Sequence, residues 1–84
     1  MNNIKEEISR IFIVELGRED VQIDENVAVY DSGIDSIEFM SLLVYLEVNF
    51  QIEIDYVKNF SMHFEEITYG DIIKAVAAEL SIND

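Results

Sequence analysis

Gly33-Ile34-Asp35-Ser36-Ile37-Glu38-Phe39-Met40-Ser41-Leu42-Leu43-Val44-Tyr45-Leu46-Glu47-Val48-Asn49-Phe50 is the stretch that decides how this chain folds. From Ser36 to Phe50 it contains neither Gly nor Pro, so nothing in it breaks a helix. Asp35 and Glu38 stand three residues apart, the spacing of a capping box with Asp in place of the usual Ser or Thr. With successive side chains about 100° apart and Ser36 at zero, Phe39, Leu42, Leu43, Leu46 and Phe50 fall within one arc of about 100°. That arc is the expected core face. Ile37, Met40, Val44 and Val48 gather on the other side, with Ser36 and Glu47 along one edge and Ser41 along the other. Two apolar stripes on one helix cannot both point into one small core. Either the second is covered, by the long loop before Gly33 or by the segment around Phe60, or it is a docking surface; Ile37, Met40 and Val44 are read as docking residues.

Towards the N-terminus, Ile4, Ile8, Ile11, Phe12 and Leu16 recur at helical spacing and predict a helix over 4–16. Asn2 or Asn3 would cap it, Glu6 and Glu7 suit its positive end, and Gly17 stops it. Residues 17–35 show no clear period. Val21, Ile23, Val27 and Val29 alternate loosely, but a lone strand has no partner, so a long loop is expected, functional or pinned to the core by its own apolar side chains. Towards the C-terminus, Tyr56, Val57, Phe60 and Phe64 predict a short third helix. Thr68 and Asp71 repeat the capping-box spacing ahead of Ile72, Ile73, Val76, Ala77 and Leu80, the face of a last helix over roughly 69–81. The expected fold is all-α: a small four-helix bundle with a long loop between helices 1 and 2 and no sheet.

Composition narrows the function. Eighty-four residues, half of them hydrophobic, suffice for one domain, read as 1–84, and for one core. Eighteen acidic residues against five basic ones give a net charge of -13, which repels nucleic acid and anionic lipid and favours partners with basic docking surfaces. With no Cys there is neither a disulfide framework nor a thiolate zinc site, and any thiol chemistry needs a borrowed sulfur. No signal pattern opens the chain and no apolar run approaches a membrane span, so the expectation is a cytoplasmic protein. The region from Asp20 to Asp31 lacks the alternating ligands and central Gly of a calcium loop, and no metal site is expected.

Ser36 admits three readings. It is part of the helix cap, although Asp35 can cap alone. It is a nucleophile, which would require a base, an orienting acid and an oxyanion site; the one histidine, His63, lies in a weakly defined segment and reads as an ordinary surface or partly packed residue. Or it is a point of covalent attachment, a position where an anionic linkage would be tolerated beside unpaired N–H groups and the positive dipole end.

The third reading has a specific resemblance behind it. Gly33-Ile34-Asp35-Ser36-Ile37, then Leu42, Leu46, Glu47, Phe50 and Ile52-Glu53-Ile54, resemble the acyl and peptidyl carrier protein family, with its Gly-x-Asp-Ser-Leu/Ile motif, its Leu-Glu-x-x-Phe helix end and its Ile-x-Ile segment. Ile67-Thr68-Tyr69-Gly70-Asp71-Ile72 is similar to the family's approach to the last helix, shorter by one residue. Between Ile54 and Ile67 the chain is several residues longer than usual and lacks the customary proline; Ser41 and Val48 stand on a face that is acidic in fatty acid carriers, where Glu38 and Glu47 are retained.

The resemblance implies a bundle of the acyl carrier type and a non-catalytic protein. It implies 4'-phosphopantetheine esterified to Ser36, making the chain a phosphoprotein, with Asp35 recognised by the phosphopantetheinyl transferase that takes the group from coenzyme A. The arm would carry an acyl or aminoacyl thioester from a loading ligase to synthases or transferases of fatty acid, polyketide or nonribosomal peptide type biosynthesis, docking through Ile37, Glu38, Met40, Val44 and Glu47. The monomer is the expected state. The rival reading is an acidic helical interaction module with unmodified Ser36.

Overall fold

Asn3 opens the first helix: its side-chain oxygen accepts the Glu6 N–H at 3.0 Å. The computed structural model describes residues 3–60 and 62–83, so the alternative cap, Asn2, lies outside the described residues. Helix α1 runs Ile4–Arg10 and continues as a wider, π-type turn over Ile11–Glu15, where the Leu16 N–H reaches back to the Ile11 carbonyl at 3.0 Å. The single regular helix expected over 4–16 is therefore two geometries in series. Ile11, Ile13 and Val14 are β-branched and crowd a tight α-turn. The widened turn keeps Ile8, Ile11 and Phe12 buried and turns Ile13 and Val14 outwards. Gly17, at φ +66°, ends the run as expected.

The loop that follows is held from within, and Val29 is fully buried while Val21 and Ile23 pack on the core edge. Its alternating residues do not make a strand. They make one antiparallel bridge, Ala28 with Thr68, in which the Val29 N–H donates to Ile67 O at 2.8 Å and the Tyr69 N–H to Val27 O at 3.2 Å. The partner missing from the sequence pattern is thus the extended residue pair just before the last helix. A 3₁₀ turn over Tyr30–Ser32 closes the loop.

Helix α2 spans Ser36–Phe50, the extent read from the sequence, and Gln51 in the left-handed region at φ 56° terminates it. Phe39, Leu42, Leu43 and Leu46 are buried and Phe50 is half-buried, so the predicted core face is the core face. Helix α3 is one turn, Tyr56–Asn59, capped by Asp55 on the Lys58 N–H; a separate 3₁₀ turn covers Phe64–Glu66. The expected third helix is split because Tyr56, Phe60 and Phe64 all close around Phe39, with ring centroids 6.1, 5.7 and 5.2 Å from it. A continuous helix would put the three on one face but spread the first and last about 12 Å along its axis.

Helix α4 spans Tyr69–Asn83. Its capping box is complete: the Asp71 N–H donates to Thr68 Oγ1 at 3.1 Å and the Thr68 N–H to Asp71 Oδ2 at 3.0 Å. Ile72 and Val76 are buried and Ile73 and Leu80 half-buried, as predicted, but Ala77 is exposed and Ala75 takes the core position. An alanine is too small to mark a face in the sequence. The described residues form four helices and no strand, the all-α bundle expected, with the long loop between α1 and α2. No described helix is long and apolar enough to cross a membrane.

Candidate functional site

Ser36 is placed by the four residues before it. Gly33 ends the Tyr30–Ser32 turn in the left-handed region at φ +89°, a conformation that costs a side-chain-bearing residue strain. Ile34 then turns inwards and is buried, anchoring the loop on the core. Asp35 stays extended (φ -86°, ψ 176°), and its carboxylate accepts the Glu38 N–H at 2.8 Å. The Asp35 carbonyl accepts the first intrahelical bond, from Phe39 at 2.9 Å. Ser36 is the first helical residue and is exposed.

Asp35 therefore supplies the cap, which leaves the Ser36 hydroxyl out of that bond. The capping box proposed from Asp35 and Glu38 is half realised, because the Glu38 carboxylate turns instead towards Arg18, whose Nη1 lies 3.7 Å away.

Beside Ser36 runs an open groove of about 610 Å³ along the outer face of α2, lined by Ser36, Ile37, Met40, Ser41, Val44 and Tyr45. Ile37 is 77% exposed, Met40 47%, Val44 54% and Val48 67%. The reading in which the long loop or the Phe60 segment covers this stripe is overturned. The loop sends Val29 and Ile34 into the core, and Phe60 packs on Phe39, on the other side of the helix. Glu47, placed on the same edge as Ser36, is half-buried and occupied: its Oε2 accepts the Ile54 N–H at 2.9 Å and holds the chain as it leaves α2.

His63 is exposed ahead of the Phe64–Glu66 turn and is not among the residues lining the groove. Among the described residues no group of three or more His, Asp or Glu side chains is placed to hold a metal ion.

What sequence reasoning missed lies behind the loop. The Arg18 Nη2 donates to the Gly33 carbonyl at 2.7 Å. The Ser32 hydroxyl donates to Val29 O at 2.7 Å and accepts from the Tyr69 hydroxyl, which lies within the core at the start of α4. Burial pushes the Tyr69 phenol above its ordinary value, against the pull of the Arg18 charge. A lone Arg in an acidic loop and a Tyr on an apolar face carry no local pattern that would reveal these contacts.

An exposed primary hydroxyl, adjoining helix N–H groups that can face an anion, and open surface for a long substituent fit an esterified phosphopantetheine. A family model described as phosphopantetheine attachment site matches residues 6–61, two thirds of the chain. No curated protein and no solved structure matches it.

Proposed function

The chain belongs to the phosphopantetheine attachment site family, whose members carry covalent 4'-phosphopantetheine, and from that premise we propose that Ser36 bears the arm. The observation that carries this reading is the division of labour at the start of α2: Asp35 caps the helix, and Ser36, next to it, keeps its hydroxyl exposed. The Ser36 oxygen would displace adenosine 3',5'-bisphosphate from coenzyme A, forming a phosphodiester and releasing the hydroxyl proton. The first N–H groups of α2 then face the phosphodiester anion, whose charge suits the positive end of the helix. The arm supplies the terminal thiol that this cysteine-free chain lacks and holds the cargo as a thioester.

The chain's own residues bind and present; none of them catalyses. Asp35 is proposed as the residue that the phosphopantetheinyl transferase recognises. Ile37, Met40 and Val44 form the apolar part of a docking face for the loading ligase and the enzymes that consume the cargo, with Glu38 and Glu47 at its margin. The exposure of that stripe supports docking, because an uncovered apolar face beside an attachment point meets each partner that takes up the cargo. The acidic surface would steer partners with basic patches. Fatty acid, polyketide and nonribosomal peptide type biosynthesis all use such a carrier, with acyl or aminoacyl cargo.

The test is intact mass after incubation with coenzyme A, magnesium and the cognate phosphopantetheinyl transferase. Wild type gains one phosphopantetheinyl group and Ser36→Ala none. If neither gains mass, or if Ser36→Ala gains it too, the assignment of the arm to Ser36 fails.

A further inference from the structure

Arg18 is one of five cations in a chain with eighteen carboxylates, and its side chain is drawn in towards the loop that carries Ser36 rather than out to solvent. Its own N–H donates to Phe12 O at 2.7 Å, which fixes the residue to the end of the first helix. Its guanidinium then reaches across the chain. One nitrogen donates to Gly33 O at 2.7 Å, and another lies 3.7 Å from the Glu38 carboxylate. Gly33 precedes Ser36 by three residues and Glu38 follows it by two, so one planar group spans the attachment point. The Asp20 carboxylate is 3.9 Å from Nε, too far for a hydrogen bond, and Nε is buried without an acceptor. A guanidinium left with an unpaired buried N–H is held by its other contacts.

We infer that Arg18 is a positioning residue for arm attachment: by holding Gly33 and Glu38 it locks the end of the loop against the first turn of α2 in the conformation that presents Ser36 to the phosphopantetheinyl transferase. The inference rests on the reading of Ser36 as the attachment point. Gly33 sits in a left-handed conformation that a free glycine leaves readily, and the Arg18 bond is the clamp on its carbonyl. The same guanidinium sets a positive charge beside Glu38, which would otherwise add to the carboxylates of Asp31 and Asp35 facing an anionic donor such as coenzyme A. A lysine is a point charge on a flexible stem and cannot span both contacts as the planar fork does.

If the loop is only fractionally in its presenting conformation without Arg18, the apparent affinity for the transferase falls by that fraction, whereas turnover of the bound carrier does not. The experiment measures transfer from coenzyme A to the unmodified carrier for wild type, Arg18→Met and Arg18→Lys, with folding checked by circular dichroism and amide exchange followed at Ser32 and Gly33, whose N–H groups donate to Val29 O and Tyr30 O at 3.1 Å. Arg18→Met is expected to raise KM for the carrier about tenfold with kcat within about twofold, with Arg18→Lys between it and wild type. Amide exchange at Ser32 and Gly33 quickens in the same order. If Arg18→Met does not fold, Arg18→Lys carries the same comparison. A KM within about twofold of wild type in the folded variants, or a loss confined to kcat, overturns the inference and leaves the attachment reading intact. Failure of wild type itself to gain the arm removes both.

Discussion

The hydroxyls of Tyr69 and Ser32, 37 residues apart in sequence, are hydrogen-bonded to each other inside the protein. Ser32 spends its own proton on Val29 O, so Tyr69 is the donor between them. The bond ties the first residue of α4 to the turn that leads into Ser36. The frame of the loop before Ser36 is therefore built from the far end of the chain, on the bridge between Ala28 and Thr68.

Removing that hydroxyl gives the first prediction. Tyr69→Phe leaves Ser32 bonded to Val29 and costs about 1 kcal/mol of stability in urea denaturation at neutral pH. It also changes the alkaline limb. Because burial raises the Tyr69 phenol, the folded state holds the proton more tightly than the unfolded state does. The corresponding stabilisation is complete below the unfolded value of about 10 and is lost as pH climbs through the higher folded value. Tyr69→Phe should flatten the fall in stability above about pH 10, and an unchanged slope would count against this account.

Gly70 meets the same seam. Its N–H donates to Glu25 O at 3.0 Å, and a Cβ built there would stand 2.8 Å from that oxygen. Backbone cannot yield as a side-chain tip can. Gly70→Ala is expected to destabilise by about 1 to 3 kcal/mol by equilibrium unfolding and to loosen the Glu25–Val29 amides in hydrogen exchange.

Asp35 has two proposed duties that one pair of variants separates. Asparagine caps as well as aspartate, so Asp35→Asn should keep the melting temperature, while Asp35→Ala loses about 1 kcal/mol. If transferase recognition needs the charge, both variants slow arm addition measured by intact mass. If Asp35→Asn is modified at the wild-type rate, Asp35 only caps.

The outer face of α2 is the third place to probe. Met40→Glu and Val44→Glu remove exposed side chains, so their stability should stay within about 0.5 kcal/mol of wild type. The rate at which a partner enzyme consumes the loaded carrier should fall. Loss of folding in either variant would show that the stripe is part of the core.

Much of this was open to reading from local pattern. The bounds of α2, its buried face, the Asp35 cap, the Thr68–Asp71 capping box and the stop at Gly17 all depend on residues a few positions apart, whose periodicity and side-chain chemistry act within a single turn of helix. The Gly33–Ile37 motif is local too, which is why Ser36 is legible from the sequence. Pattern failed where the deciding neighbour is distant. The third helix shortened to one turn because three rings had to surround Phe39, and the loop gained its one bridge because Thr68 came to lie beside Ala28.

Sequence by itself thus determined the extent of α2, its core face and the serine at its start, since those follow from 3.6-residue periodicity and from the hydrogen bonds that orphaned N–H groups demand. Tertiary structure alone decided that the second stripe of α2 stays in solvent, that Glu47 is tied to Ile54, and that Arg18 and Tyr69 brace the loop beneath Ser36. The reason is physical: exposure and long-range hydrogen bonds depend on which surfaces the packed core brings together, and no local rule encodes a contact between a guanidinium and a carbonyl fifteen residues away.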